Sequence, residues 1–159
     1  MATTQIVAAP GIPQIVITRR FRAPRELLFR AYTEPELLVR WLGPRAMRTT
    51  VDCLDARNGG TWRYIQYEPD GDAHAFHGVY HGTPSSDGIV QTYEYERIPG
   101  HVFLNTITFE EHDGQTTLRQ NSVFQSVEDR DGYVEGGMEE GVYESMDRLG
   151  ELVAQLSEV

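Results

Sequence analysis

Apolar positions recur along this chain with two different periods, and each stretch of constant period predicts an element. Ile15-Val16-Ile17 opens a β-branched run that predicts a strand to about Phe21. Pro24 follows where a first helical turn tolerates proline, and Leu27, Leu28, Ala31 and Tyr32 form an i, i+4 stripe. A second short helix is predicted from about Pro35, with Leu37, Leu38 and Trp41 as its apolar residues. Gly43-Pro44 stops it, because proline disfavours helix in the residue before it.

From Met47 to Gln125 the period becomes two. Pro69-Asp70-Gly71, Ser86-Asp87-Gly88, Pro99-Gly100 and Asp113-Gly114 punctuate the alternation as turns. The segments between them are rich in Tyr, Thr, Val, Ile and Phe, and predict six strands in sequential antiparallel order. A parallel sheet is excluded, because no helical crossover of about a dozen residues interrupts them. Met138, Val142, Ser145, Leu149, Leu152 and Leu156 then step by fours and threes, with Met146 and Val153 widening the stripe. Glu139, Glu140, Glu144, Asp147, Arg148 and Glu151 occupy the other side. This is one amphipathic helix of about twenty residues, roughly 30 Å long.

That stripe must be buried, and the only large partner is the sheet. The expectation is an α+β fold: a curved antiparallel sheet of about seven strands around a long C-terminal helix, with two short helices after the first strand. Residues 1–13 hold three Ala, two Pro and one Gly without periodicity, and read as a flexible leader. Residues 14–159 read as a single domain, which the length of 159 residues fits.

Composition narrows the function classes. No apolar run approaches the ~20 residues of a membrane span, and no basic segment precedes the first apolar residues, so neither a membrane anchor nor a secretory signal is expected. Cys53 is the single cysteine, which excludes an internal disulfide framework and a thiolate-rich zinc site. A cytoplasmic protein follows. All 14 basic residues are arginine, ten against eight acids in residues 1–80 and four against sixteen in residues 81–159. An acidic chain repels phosphate backbones, and the Arg19, Arg20, Arg22, Arg25 cluster makes no basic stripe, so nucleic acid is not an expected partner.

Several motifs carry a family likeness. Phe21-x-Ala-Pro-x-Glu-x-x-Phe and Tyr32-Thr33-x-Pro35-Glu36-x-x-x-x-Trp41-x-Gly43-Pro44 open it. Asp52-x-x-x-x-Arg57-x-Gly59-Gly60-x-Trp62-Arg63-Tyr64, Pro69-Asp70-Gly71 and Phe76-x-Gly78-x-Tyr80 continue it. Thr92, Thr108-Phe109-Glu110, Gly137-Met138-Glu139-x-Gly141 and Arg148-Leu149 complete it. In order and spacing, about residues 15–157 resemble the activator-of-heat-shock-ATPase-like branch of the START/SRPBCC superfamily. The resemblance implies a helix-grip fold with a cavity between sheet and long helix. The chain departs from the pattern at Gln66, where an apolar residue is expected, and at Gly82, where Glu is usual.

His74, His77 and His81 alternate on a strand, which turns His74 away from the other two and sets those ~13 Å apart, too far to share an ion. No metal site and no cofactor is expected. No nucleophile elbow or phosphate loop appears. Glu94 is the best carboxylate for acid–base work, but two carboxylates, Glu94 and Glu96, share its face. Turning both to solvent, with Tyr93 and Tyr95 inward, costs less. No catalytic residue is assigned.

Trp41, Trp62, Tyr64, Phe76 and Tyr80 supply apolar walls, and Gln66, Thr92 and Gln120 share their parity as hydrogen-bonding groups. A solid core would not carry such amides, so an amphiphilic pocket is expected, closed by Met138 and Val142 of the helix. The expected function is sequestration or transport of an apolar or aromatic small molecule. A cyclase- or hydratase-type enzyme of the same superfamily and a chaperone-ATPase-regulating module are the alternatives, and a homodimer is left open.

Overall fold

The structure is a computed structural model and describes residues 3–158. Its strands are β1 (Gln5–Val7), β2 (Gln14–Phe21), β3 (Arg48–Leu54), β4 (Thr61–Tyr67), β5 (Ala73–Val79), β6 (Gly88–Tyr95), β7 (Val102–His112) and β8 (Gln115–Phe124). Its helices are α1 (Arg25–Thr33), α2 (Pro35–Leu38), α3 (Val127–Glu135) and α4 (Met138–Ser157). The eight strands form one antiparallel sheet in the order β1-β2-β8-β7-β6-β5-β4-β3. The six strands from β3 to β8 follow each other as neighbours, and β2 returns to close against β8. This is the helix-grip architecture.

The turns that set this meander are chemically explicit. The β7–β8 hairpin turns on Asp113-Gly114, both at positive φ (54° and 75°), which matches the right-handed twist of the flanking strands. On β5, Gly78 is required by close approach rather than by φ. A Cβ there would lie 1.9 Å from the Thr92 carbonyl oxygen and 2.8 Å from the Trp62 ring.

Two expectations are corrected. Residues 1–13 are not all loose, because Gln5–Val7 pair with Val16–Thr18 of β2 and add an eighth strand. The Arg130 guanidinium further ties this segment by donating to the Ala9 carbonyl at 3.0 Å. The helix α3 was not anticipated either. Its apolar stripe is weak, but Ser126 caps it, accepting from the Asp129 N–H at 3.0 Å, and Glu128 and Asp129 sit favourably in its first turn. Gly136 and Gly137 separate it from α4, with Gly137 at φ 86°.

The core lies between the sheet and the part of α4 from Ser145 onward. Ser145, Met146, Leu149, Leu152 and Val153 are its buried residues, and none lies before Ser145. They pack with Phe21, Leu28, Trp41, Phe109 and Leu118. The helix thus grips the sheet from Ser145 onward, and its first two turns stand over a space. Among the described residues no helix is long and apolar enough to cross a membrane.

Candidate functional site

A cleft of about 1260 Å³ opens between the inner sheet face, the first half of α4, α3 and the segment after α2. Strand register decides which side chains face it. On β4 and β5 the even residues point inward: Trp62, Tyr64, Gln66, His74 and Phe76. Phe76 of β5 lies opposite Tyr95 of β6, so the inward parity flips, and Gln91, Tyr93 and Tyr95 line the cleft. It stays odd on β7 with Phe103, Asn105 and Ile107, then flips again on β8 to Gln120 and Phe124.

Nine of the ten residues expected from the sequence therefore stand on the cleft wall: Trp41, Trp62, Tyr64, Gln66, Phe76, Tyr80, Gln120, Met138 and Val142. Thr92 is the exception. The parity flip carries it to the opposite face, where its hydroxyl accepts the Val79 N–H at 2.9 Å and replaces a ladder bond. Gln91 and Tyr93 take its place in the wall. Tyr93 and Tyr95 face inward, as expected from turning Glu94 and Glu96 to solvent, which conflicts with an inward Thr92 on the same strand. Phe103, Asn105 and Tyr133 are further wall residues, and parity on β7 would have found the first two.

The aromatic rings form one continuous band. Trp62 meets Tyr64 at 5.4 Å and Tyr93 at 4.9 Å, and Tyr64 stacks on Phe76 at 5.2 Å. Tyr93 stacks on Phe103 at 4.9 Å, and Phe103 reaches Tyr133 of α3 at 5.3 Å. Trp41 faces the cleft as well, but its indole N–H is spent on the Ala31 carbonyl at 2.9 Å, which locks the helical segment.

The polar part of the wall is an amide set. Gln120 donates to the Ser122 hydroxyl at 3.3 Å, and Ser122 donates to the Asn105 side-chain oxygen at 2.6 Å. Asn105 is only 4% exposed, lines the cleft, and its amide nitrogen has no protein partner among the described residues. Gln66 packs against Gly43, where a Cβ would come within 2.6 Å of its amide nitrogen. The mouth is acidic: Glu68, Glu128, Asp129, Asp131 and Glu135 line it with His74 and His101, and no arginine does.

Glu94 and Glu96 lie on the outer face. His77 sits between them, with Nε2 3.2 Å from Glu94 and Nδ1 2.9 Å from Glu96, and Arg63 donates to Glu96 at 2.8 Å. The Arg63 guanidinium, reinforced by His77, holds the Glu96 carboxyl down to about 2. Glu94 also accepts the Gly100 N–H at 2.7 Å, so both carboxylates are structural. Burial pushes the Tyr64 and Tyr80 phenols above their ordinary range.

Carboxylates approach one of the strand histidines, His74. Glu68 and Asp72, from the β4–β5 turn, place an oxygen 3.2 and 3.6 Å from His74 Nε2, and the three ligand atoms lie within 4.8 Å of one another. Sequence alternation could not see them, because they come from the turn. Arg97 already donates to Asp72 at 2.6 Å and supplies the positive charge that an ion would bring, so the group reads as an ion-pair network.

The fold and its cleft define the START/SRPBCC class. The family model described as Activator of Hsp90 ATPase homolog 1-like protein matches residues 22–154, and the chain belongs to that family. Solved structures share its architecture. A crystal structure of a Rhodobacter sphaeroides protein is 25% identical, covers 96% of this chain and 99% of that one, and has a TM-score of 0.86. A Mycobacterium smegmatis crystal structure is 24% identical over 94% and 95% of the two chains, with a TM-score of 0.84. An Arthrobacter aurescens solution structure is 22% identical over 95% and 91%, with a TM-score of 0.87. No curated protein matches the sequence.

Proposed function

We propose that this protein binds an apolar, ring-containing small molecule in the cleft and sequesters or carries it in the cytoplasm. The observation that carries this reading is the aromatic band from Trp62 to Tyr133 around an open volume of about 1260 Å³. A fold gains most by filling such space with its own side chains, and leaving it open with amides on the wall suits a ligand. The single cysteine supports the cytoplasmic location.

A catalytic reading has no comparable support, since the best carboxylate candidate is tied down outside the cleft. A chaperone-regulating module would need an apolar docking face. On the outer face of the sheet, Leu104 and Val123 are cross-strand neighbours and are exposed, a small patch beside the several hundred Å² that such a face presents.

The test is a titration with the neutral fluorophore N-phenyl-1-naphthylamine, following both its emission and the emission of Trp41 and Trp62. Saturable one-site binding that weakens at least tenfold in Tyr93→Ala is expected. Emission that rises linearly with probe, without saturation, overturns the proposal.

A further inference from the structure

The charge and polarity of the cleft narrow its ligand further, an inference that rests on the binding reading above. Fourteen arginines are distributed over this chain, yet none lines the cleft among the described residues. Five carboxylates do. Three of them are partly answered at the wall: Glu68 by His74, Asp129 by His101 at 2.9 Å, and Asp131 by Arg130. Glu128 and Glu135, both on α3 and exposed, have no ion-pair partner among the described residues. Low-dielectric walls focus such a field into the cleft rather than letting bulk water screen it.

The wall itself favours the same sign. The rings of Tyr64, Phe76, Tyr93, Phe103 and Tyr133 line the wall, and any ring face that a ligand reaches attracts a cation and repels an anion. A carboxylate or phosphate entering here would lose its hydration and meet no arginine in return, the wall's two histidines being already engaged by Glu68 and Asp129. Deeper in, the Asn105 amide nitrogen offers two N–H donors from a side chain almost wholly buried, and its own oxygen is already taken by Ser122. A ligand atom that meets it must be an acceptor.

We infer that the cleft selects a cationic amphiphile: an amine whose aromatic or aliphatic body lies along the ring band. A carbonyl, ether or hydroxyl oxygen at its buried end would take the Asn105 amide. The ammonium sits at the acidic mouth, in the field of Glu128 and Glu135, which stand two turns apart on α3. Fatty acids and phosphorylated lipids are disfavoured by the same charges.

The experiment displaces N-phenyl-1-naphthylamine with a matched series at pH 7 and low salt: dodecylamine, dodecanol and dodecanoate. The expected order is amine, alcohol, acid, with the amine at least about tenfold tighter than the acid, a difference of about 1.4 kcal/mol. Raising the salt should shrink that ratio. In the double variant Glu128→Gln, Glu135→Gln the amine should weaken and the acid strengthen. Both side chains are exposed, so folding is not at stake. Dodecanoate displacing the probe as well as dodecylamine does, or a ratio unmoved by both salt and the double variant, overturns the charge selection while leaving the binding reading intact. Failure of the fluorophore itself to bind overturns the reading beneath it.

Discussion

Tyr32 shows how much a single polar atom can cost. Its ring packs against Trp41 at 4.7 Å and Phe109 at 5.6 Å, while its buried hydroxyl has no hydrogen-bond partner among the described residues. Burial also drives that phenol's pKa upward. Removing an unsatisfied hydroxyl recovers its desolvation cost, so Tyr32→Phe should stabilise the protein by about 1 kcal/mol in a denaturant titration. A loss of stability would mean that the hydroxyl has a partner. Glu96 is the opposite case, a carboxyl held low by Arg63 and His77. Because the folded value lies below the unfolded one, its contribution is complete above the unfolded carboxyl range near pH 4.3. It is lost as pH falls toward about 2. The Glu96 side chain is 30% exposed, so solvent screening limits the effect to about 1 kcal/mol. Arg63→Met should therefore reduce stability at pH 7 and converge on the wild type near pH 2, followed by thermal melts across that range.

Between elements, the division of labour inside α4 matters most. Leu149 is fully buried in the part that grips the sheet, and Leu149→Ala should cost about 2–5 kcal/mol. Glu144 lies on the polar side, yet it accepts the Arg45 N–H at 2.9 Å and so fastens the segment after α2. Glu144→Ala should cost about 0.5–1 kcal/mol, whereas the exposed Glu140→Ala should move stability by less than about 0.5 kcal/mol. Equal denaturation midpoints for all three would mean that the helix does not hold the sheet by this stripe. The first two turns of α4 bury no residue and α3 buries only Arg130, which leaves Met138, Val142 and Tyr133 free to form a wall.

Over the whole molecule, the sheet is held along one end of its inner face and left open at the other. A ligand that fills the open end adds contacts present only in the folded state. At a free concentration of a hundred times its Kd it should add about 2.7 kcal/mol to stability, read as a rise of several degrees in Tm. Dodecylamine should raise Tm in this way, with dodecanoate giving less. No shift with any member of the series would leave the cleft without a ligand of this size class. The uneven charge of the chain takes on a spatial meaning at this scale. Four of the five acids at the mouth, all but Glu68, come from the acidic half after residue 81.

Local pattern alone determined most of the architecture. Period-two segments separated by Gly-containing turns dictate an antiparallel meander, and a twenty-residue stripe dictates a helix laid upon it. The motifs from Phe21 to Leu149 were enough to identify the family. The wall residues of β4 and β5 were legible too, because parity within one strand is fixed by the pleat. Parity across strands was not. Whether Thr92 or Tyr93 faces inward depends on the β5–β6 register, which pairs Phe76 with Tyr95 and is set by the connection rather than by either strand. The short strand Gln5–Val7 and the helix α3 were hidden for a related reason: neither has a strong pattern of its own, and each forms only because a neighbour offers an edge or a cap. The open cleft, its acidic mouth and the free amide of Asn105 belong to tertiary structure alone. They arise where α4 stops packing and residues far apart in sequence face one space, and no local period records that.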